Sequence, residues 1–271
     1  MKAFQVAALQ MVSSPSVEEN LATAARLVER SAGEGAQLVV LPEYFCIMGL
    51  RPTDKVQERE EDGRGPIQDF LAGAAARHRI WLVGGCVPLR TAGDDSRVRS
   101  ACLVFDDQGR RAARYDKIHL FSFEQGGERY REMDTIEPGS QVVSVEMPFA
   151  RVGLSICYDV RFPELYRALT PCDVFLVPSA FTAVTGAAHW ELLLRARAVE
   201  NAAYVVAPAQ GGRHASGRQT HGHTMIVDPW GKVVAEHAEG EAIVGARLDP
   251  HVLENVRSSL PALGHRVGFH Y

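Results

Sequence analysis

Short apolar segments of strand length alternate with helical segments from Phe4 to Leu248, and this alternation restricts the fold more than any other feature. Leu38–Leu41 is an uninterrupted apolar run, as expected of a buried strand. Ser16–Ser31 instead spaces its apolar residues three and four positions apart, as an amphipathic helix does. Strands that alternate with helices and hairpin turns predict a layered α/β domain with mixed sheets.

The predicted elements run along the whole chain. The strands are Phe4–Leu9, Leu38–Leu41, Ile80–Val87, Ser100–Asp106, Arg111–Tyr115, Val152–Ile156, Val174–Val177, Tyr204–Ala207, Thr224–Val227, Val233–Ala235 and Ala242–Leu248. The helices are Ser16–Ser31, Pro66–His78, Phe162–Leu169 and Trp190–Asn201. Ser16 and Glu19 predict a capping box, and Asp107-Gln-Gly109 predicts a hairpin turn. We expect one domain over residues 1–271, with about 261–271 forming a C-terminal tail.

Composition narrows the functional class. The net charge of −4 is not that of a typical nucleic-acid-binding protein. No apolar stretch approaches the roughly 20 residues that span a bilayer, and no secretory signal is visible. We therefore expect no nucleic-acid or membrane partners, and the odd number of widely scattered cysteines favours a reducing cytoplasm.

The 5 cysteines are scattered and form no C-x-x-C pair, so neither a zinc site nor a disulfide framework is predicted. His221-Gly-His223 could present two ligands on one strand face, but the adjoining sequence adds no acidic or thiol ligand. We expect no metal and no organic cofactor.

Cys157 is the first candidate for a reactive residue, because of the segments on either side of it. It ends the apolar run from Arg151 and precedes a polar segment that is predicted to turn into a helix. Open α/β sheets bind ligands at the carboxyl ends of their strands, and a helix N-terminus favours a thiolate. A buried structural cysteine is the alternative, and this segment alone does not separate the two interpretations.

Three further polar residues indicate a catalytic site only when they are considered together. Glu43 and Lys117 each come just after an apolar strand, and Glu132 lies in a polar loop; alone, each could be a solvated surface residue. Thiol attack on an amide needs a base, a cation or donor for the developing oxyanion, and an acid for the leaving amine. A glutamate, a lysine and a cysteine can supply these functions without a histidine.

These residues lie in segments that resemble the nitrilase superfamily, the carbon–nitrogen hydrolases with a Glu-Lys-Cys triad. The segments are Leu41-Pro-Glu43, Tyr115-Asp-Lys-Ile-His-Leu-Phe121, Leu154-Ser-Ile-Cys-Tyr-Asp-Val-Arg-Phe-Pro-Glu164, Pro178-Ser-Ala-Phe181, His189–Asn201 and Gly222-His-Thr-Met-Ile-Val-Asp-Pro-Trp-Gly231. The similarity runs from about Phe4 to Leu260. The resemblance implies a four-layer α-β-β-α sandwich with two mixed sheets, and a homodimer or higher homo-oligomer.

The resemblance also implies roles for individual residues. Cys157 would be the nucleophile and Glu43 the general base. Lys117 and the backbone N–H of Tyr158 would stabilise the oxyanion. The family's second glutamate precedes a Pro-Gly pair, and counting back from Pro138-Gly139 places it at Glu132, where it would position the lysine and the substrate.

Within the superfamily, the likeness is greatest to the deaminated glutathione amidases, through His189–Asn201, Tyr204–Ala207 and Gly212-Arg-His214. The expected reaction converts a small carboxylate-bearing amide into an acid and ammonia through a thioester. An ω-amidase acting on α-ketoglutaramate, or another amidase or nitrilase, is the alternative. Ser122 and Met133 depart from the usual pattern, which has aspartate and serine there, and this leaves the substrate open.

Candidate substrate-binding residues follow from position in the chain. Phe45, Phe123, Phe181 and Thr182 are predicted to form the walls of the site. Arg213 and His214, in a glycine-rich basic loop over residues 211–223, are predicted to hold a substrate carboxylate, unless that loop is simply solvated. Arg161 could bind a carboxylate too, but a structural pairing with Glu164 is favoured.

Other functional classes fit less well. Gly153-Leu-Ser155-Ile-Cys157 resembles the nucleophile elbow of α/β-hydrolases without its last glycine, and it would make Ser155 the nucleophile. A papain-type pair with His189 or His221 lacks the signature around the cysteine. A non-catalytic binding protein would be expected to have lost part of the triad. No G-x-G-x-x-G follows a strand, which argues against dinucleotide binding.

Overall fold

The computed structural model describes residues 1–125 and 128–267, with two six-stranded mixed sheets between outer helices. The strands are β1 (Phe4–Gln10), β2 (Leu38–Val40), β3 (Trp81–Arg90), β4 (Val98–Phe105), β5 (Arg111–Asp116), β6 (Ser122–Gln125), β7 (Glu128–Arg131), β8 (Ser144–Glu146), β9 (Arg151–Leu154), β10 (Val174–Leu176), β11 (Tyr204–Ala207), β12 (Gly211–Arg213), β13 (Gln219–His221), β14 (Thr224–Val227), β15 (Val233–His237) and β16 (Ala242–Leu248). The helices are α1 (Val17–Gly33), α2 (Asp54–Gln57), α3 (Pro66–His78), α4 (Pro163–Leu169), α5 (Ala183–Asn201) and α6 (Pro250–Ser259), with 3₁₀ helices at Glu132–Asp134, Cys157–Arg161 and Ala262–His265.

Each sheet has a parallel centre and antiparallel edges. The first has the order β16-β1-β2-β3-β4-β5, in which β1, β2 and β3 are parallel. The second has the order β15-β14-β11-β10-β9-β8, in which β9, β10 and β11 are parallel. β6 pairs with β7 and β12 pairs with β13 in two separate hairpins. The predicted mixed sheets are confirmed.

The two sheets pack face to face because alternate residues of each strand point to opposite sides. On β1, Val6 and Ala8 join the core shared with the second sheet, whereas Ala7 and Leu9 face α1 and α3. β2 is buried on both faces, which accounts for its continuous apolar sequence. On the far side of the second sheet, Trp190 and Leu194 of α5 belong to the same core. The predicted α-β-β-α arrangement is therefore confirmed.

Several boundaries differ from the sequence-based prediction. The helix predicted from Trp190 begins at Ala183, with the Thr182 hydroxyl accepting from Thr185 N at 3.3 Å. Its first turns contain Val184, Thr185 and Gly186, which are weak helix formers, so local propensity hid them. The hairpin β6–β7 and the helix α6 were not predicted, although Asp249 caps α6 and a proline begins it.

The predicted capping box at α1 is only half formed. Ser16 Oγ accepts from Glu19 N at 3.3 Å, as predicted. The Glu19 carboxylate accepts instead from Ser14 Oγ, which itself accepts from Ser16 N. An additional serine therefore stands between the two groups that a capping box joins directly.

The carboxyl ends of three strands position the functional segments. β2 runs into Pro42-Glu43, β5 into Lys117, and β9 into the 3₁₀ helix that begins at Cys157. β5 is antiparallel to β4 and therefore runs in the same direction as β2 and β3, so Glu43 and Lys117 follow the same edge of the first sheet. Cys157 follows a parallel strand of the second sheet. At the C-terminus, the predicted tail over residues 261–271 includes the 3₁₀ helix Ala262–His265, and residues 268–271 lie outside the described part. Within residues 1–125 and 128–267, no helix is long and apolar enough to cross a bilayer.

Candidate functional site

Glu43 is held in the interior by the close approach of two strands. The chain leaves β2 at Leu41 and passes against Gly85 of β3, where a Cβ atom would lie 2.2 Å from the Leu41 carbonyl oxygen. Only glycine permits this contact. Glu43 consequently sits 1% exposed, and its backbone carbonyl accepts a 3.0 Å hydrogen bond from Gln210 Nε2.

Lys117 joins two carboxylates in a buried ion-pair network. Its Nζ lies 2.7 Å from Glu43 Oε1 and 2.8 Å from Glu132 Oε2, and the lysine has no exposed surface. Glu132 also accepts from Tyr44 Oη at 3.1 Å and from Phe121 N at 2.7 Å. A charge can be buried at low cost only when it is paired and hydrogen-bonded in this way.

The network determines the charge state of its members. Burial alone disfavours the Lys117 ammonium, but Glu132 and then Glu43 outweigh it and hold the lysine pKa well above its ordinary value. Burial likewise opposes ionisation of Glu132, yet Lys117 and the backbone N–H of Phe121 lower the pKa of that carboxyl. The lysine is therefore a fixed cation beside an ionised Glu132.

Cys157 stands at a strained turn, separated from the end of β9 by Ser155 and Ile156. Its φ of 49° lies in the left-handed region, which non-glycine residues seldom adopt. Its N–H donates to the Pro178 carbonyl at 3.0 Å, which fixes the thiol at the end of the sheet. Strain of this kind is concentrated at functional sites. Burial, followed by the charge of Glu43, raises the pKa of the thiol well above its ordinary value.

Asp159 ties the nucleophile turn to the lysine segment. Its buried carboxylate accepts from Ile156 N at 2.8 Å on one side. On the other side it accepts from Tyr115 Oη at 2.7 Å and from His119 N at 3.0 Å. The bonded residues flank Cys157 and Lys117, so one side chain fixes the relative position of both.

Two adjoining spaces give access to these groups. A chamber of about 10 Å³ is lined by Glu43, Phe121, Glu132, Cys157, Tyr158, Ala180, Phe181, Thr182, Thr185 and Arg218. A cavity of about 680 Å³ shares Phe121, Glu132 and Arg218 with this chamber. The chamber has room for little more than a water-sized group, so most of a bound molecule would occupy the cavity.

The structure brings together the predicted Glu43, Lys117, Glu132 and Cys157, and it places Phe181 and Thr182 on the chamber wall. It contradicts the prediction for Phe45, which is fully buried in the core beneath β2. The φ of 56° at Tyr44 turns the chain there, so that Tyr44 faces the cavity.

Phe123 does not line either space. It lies on β6 with its ring 6.0 Å from that of Phe121, and Phe121 forms the wall instead. Arg161 lies 5.3 Å from the Phe181 ring centroid and 3.2 Å from His189 Nδ1. Its predicted structural role fits these contacts, but the partner is not Glu164.

The basic loop differs from its predicted role. Arg213 is exposed on β12 and lines neither space. His214 is buried: its Nδ1 lies 3.0 Å from the Ser13 carbonyl oxygen and its Nε2 lies 2.8 Å from Thr220 Oγ1. Both ring nitrogens thus connect parts of the fold, and neither is available to a carboxylate. The same loop supplies Arg218 to both spaces.

The alternative sites have structural explanations. Ser155 Oγ lies 2.8 Å from Tyr166 Oη and donates to the Leu176 carbonyl at 2.7 Å, so this hydroxyl is engaged in the core. His221 and His223 stack with ring centroids 4.3 Å apart, and His223 pairs with Glu236. Across the described ranges, no group of three histidine, cysteine, aspartate or glutamate side chains could hold a metal ion.

Three residues that line the cavity were not predicted from the sequence. Tyr44 adjoins Glu43 and could have been singled out by that adjacency. Lys55 lies in a polar segment with no motif, and Arg218 lies in the basic loop, where Arg213 and His214 were chosen instead. Local sequence carries no signal that distinguishes Arg218 from the other cations of that loop.

Comparison with known proteins places this site in a family. The carbon–nitrogen hydrolase family model matches residues 5–258. A deaminated glutathione amidase of Synechocystis is 42% identical over 272 residues, covering 98% of this chain and 99% of that protein. The crystal structure of Saccharomyces cerevisiae Nit3, a member of branch 10 of the nitrilase superfamily, superposes with a TM-score of 0.86 at 34% identity, covering 96% of this chain and 95% of that one.

The Caenorhabditis elegans NitFhit protein superposes with a TM-score of 0.90 at 37% identity. The match covers 98% of this chain but 65% of the longer NitFhit chain, so the present protein spans about two thirds of it. The identity extends over nearly the whole of this chain in all three comparisons. The chain belongs to the carbon–nitrogen hydrolase family within the nitrilase superfamily, and it is a cysteine-dependent amidase.

Proposed function

We propose that Cys157 hydrolyses a small carboxylate-bearing amide through a thioester, with Glu43 as general base and acid and Lys117 as oxyanion partner. The observation that carries the proposal is the buried network of Glu43, Lys117 and Glu132, whose two glutamates line the same chamber as Cys157. Buried ion pairs with perturbed pKa values in a cleft are typical of catalytic sites.

The first step begins from a neutral thiol, because the pKa of Cys157 is raised by burial and by Glu43. Glu43 accepts the thiol proton as the sulfur attacks the amide carbonyl carbon. Negative charge then develops on the carbonyl oxygen, where Lys117 Nζ and the Tyr158 N–H stabilise it. Glu132 keeps Lys117 charged and in place through its 2.8 Å contact.

The tetrahedral intermediate collapses when Glu43 returns the proton to the amide nitrogen, which leaves as an amine. A water molecule then gives a proton to Glu43 and attacks the thioester carbonyl. The carboxylic acid departs and the proton returns to the Cys157 sulfur, so the enzyme is regenerated. Apart from the substrate and this water molecule, the groups that act in the proposed cycle are side chains and one backbone N–H of the protein.

For the substrate we propose deaminated glutathione, with α-ketoglutaramate or another small amide or nitrile as the second candidate. The Synechocystis relative named for the first activity supports this choice. In deaminated glutathione the amide joins the acyl group to a Cys-Gly dipeptide, so the leaving group is an amine. The expectation of ammonia applies only to α-ketoglutaramate and other primary amides.

The direct test traps the thioester. Intact-mass and peptide mapping during turnover of deaminated glutathione should locate an acyl group on Cys157, and Cys157→Ala should be inactive. An adduct on another residue, or full activity of that variant, would overturn the mechanism. Release of both free amine and ammonia should be measured for deaminated glutathione, α-ketoglutaramate, asparagine, glutamine, an aliphatic amide and a nitrile.

We further propose a homodimer that docks through α5 and the turn after β14. Leu192 and Val199 lie seven positions apart on α5 and are 68% and 49% exposed, and Trp230 is 63% exposed. Arg195 Nε donates to the Gly231 carbonyl at 2.8 Å, which holds the Trp230 turn beside the helix. Large apolar side chains exposed on one helix and on the turn held beside it favour an interface at this place.

Light scattering should show a dimer, and Leu192→Asp should shift it toward monomer. If wild type and Leu192→Asp both had the mass of a dimer, the interface would lie elsewhere. A cytoplasmic location is proposed as well, supported by the five cysteines, each buried and unpaired.

A further inference from the structure

The large cavity is strongly cationic. In the described part of the chain, its lining includes five basic side chains and two acidic ones, which are Arg51, Lys55, Arg129, Arg131, Arg218, Glu132 and Asp134. Most of them already have partners. Glu132 binds Lys117, Asp134 lies 3.8 Å from Arg131, Arg129 lies 3.8 Å from Glu124, and Arg51 lies 3.1 Å from Asp54. Among the described side chains, this leaves Lys55 and Arg218 as the cavity cations without a carboxylate partner.

These two cations converge on one aromatic ring. Lys55 Nζ lies 5.8 Å and Arg218 Cζ lies 5.7 Å from the centroid of Tyr44. Tyr44 in turn donates its hydroxyl to Glu132 of the catalytic network at 3.1 Å. The pair therefore lies one side chain away from the proposed reaction centre.

The hydrogen-bond donors of the Arg218 side chain are only partly paired with groups of the protein. Its Nη2 donates to the Ala180 carbonyl at 2.6 Å, and its guanidinium lies 5.2 Å from the Tyr130 ring. Its Nε is buried and has no hydrogen-bond partner within the described residues. A buried donor without a partner is costly, and a guanidinium held on one side still presents N–H groups to a planar anion such as a carboxylate.

We propose that Lys55 and Arg218 form the binding site for a carboxylate of the amide substrate, at the junction between the chamber and the cavity. This inference rests on the proposed amide hydrolysis and adds the residues that select the substrate. Arg218 lines both the chamber and the cavity, so it lies beside the reacting group. Lys55 lines the cavity but not the chamber. The role first expected of Arg213 and His214 passes to Arg218.

Electrostatics favour an anion at this site. Burial lowers the pKa of Lys55, and the positive charge of Arg218 lowers it further, while Glu132 opposes the shift. A bound carboxylate would offset the repulsion between the two cations and complete the hydrogen bonding of the guanidinium. A neutral amide would do neither, so the site distinguishes substrates by charge.

The carboxylate has two possible sources in deaminated glutathione, the α-keto acid end and the glycine end. The test compares kcat/KM for deaminated glutathione, its glycine-amide form, α-ketoglutaramate and propionamide. Arg218→Gln and Lys55→Gln remove the charges. Arg77→Gln on α3 and Lys2→Gln before β1 serve as matched controls, because both lie exposed outside the two spaces.

We expect Arg218→Gln and Lys55→Gln to lower kcat/KM for deaminated glutathione by about ten- to a hundredfold, mainly through KM. The loss on propionamide should stay below about threefold, and the controls should behave as wild type. Arg218→Lys, which keeps the charge, should recover part of the loss. Loss that persists with the glycine-amide form and with α-ketoglutaramate assigns the contact to the α-keto acid end. Loss that disappears with the glycine-amide form assigns it to the glycine end.

Equal losses on deaminated glutathione and propionamide would overturn the inference, because they would indicate a structural role for the two residues. No loss on either substrate would overturn it too. Failure of the proposed function has a different signature: the wild-type protein would then hydrolyse no amide of the panel, or Cys157→Ala would remain active.

Discussion

Tyr115 donates its hydroxyl to Asp159 Oδ2 at 2.7 Å, and this buried bond joins the end of β5 to the turn that carries the nucleophile. Tyr115 lies two residues before Lys117, and Asp159 lies two residues after Cys157. The spacing between ammonium and thiol thus depends on a hydrogen bond between residues that do not take part in the proposed chemistry.

Removal of the Tyr115 hydroxyl should show whether its bond to Asp159 affects turnover as well as stability. Tyr115→Phe keeps the ring but removes the bond, so we expect the free energy of unfolding to fall by about 1–2 kcal/mol. The looser lysine segment should lower kcat by about ten- to a hundredfold with little change in KM. Urea unfolding and steady-state kinetics measure both effects. A variant that loses stability but keeps its kcat would show that the Tyr115–Asp159 bond does not position the site.

The thiol of Cys157 should remain protonated across neutral pH. Burial and the charge of Glu43 raise its pKa well above the ordinary value, whereas a free cysteine is half ionised near pH 8.5. The difference in thiolate absorbance between wild type and Cys157→Ala should therefore stay near zero from pH 6 to 9. A clear thiolate signal at pH 7 would instead indicate a resting thiolate–ammonium pair that needs no base for attack.

Gly139 should be essential for the placement of Lys117. Its N–H donates to the Lys117 carbonyl at 2.8 Å, and a Cβ atom there would lie 2.2 Å from the Asp116 carbonyl oxygen. Gly139→Ala is expected to lower the free energy of unfolding by about 1–3 kcal/mol and to reduce kcat, since the backbone must shift.

The matched control is Gly73→Ala. Gly73 lies in the middle of α3 and is exposed to solvent, and an added Cβ atom there would meet nothing within 4 Å. It should raise stability by about 0.5–1 kcal/mol and leave kcat unchanged. Wild-type activity in Gly139→Ala would show that the lysine segment tolerates displacement.

His214 should make the fold sensitive to acid. Burial is the main reason that its pKa is lowered, so the native protein holds the imidazole neutral. The unfolded chain binds a proton near pH 6.5. Stability from this residue is therefore present above about pH 6.5 and is lost as the pH falls toward the native pKa.

Chemical unfolding of wild type and His214→Gln at pH 7 and pH 5 checks this prediction. The variant should be less stable at pH 7 but should lose less on acidification, whereas His251→Gln, at a largely exposed position, should follow wild type. Parallel pH dependence in all three proteins would refute the assignment.

Local sequence was a reliable guide where periodicity and burial act within one element. The strands Leu38–Val40 and Tyr204–Ala207 were predicted nearly to the residue because they are buried on both faces. The first turns of α5 were missed because β-branched residues and Gly186 are weak helix formers, whereas in the fold Gly186 packs closely against His221 of β13. Glu43 and Cys157 became candidates because each follows an apolar strand, and the resemblance of their segments to the nitrilase superfamily then assigned their roles.

By itself, the sequence determined the layered α/β architecture and the candidates Glu43, Lys117 and Cys157, since strand periodicity and motif order are local properties. Only the tertiary structure decided which residues surround them. The cavity draws Tyr44 and Lys55 from one part of the chain and Arg218 from another more than 160 positions later. Their proximity arises from the packing of two sheets, which no local pattern records, and for that reason Arg218 rather than Arg213 faces the site.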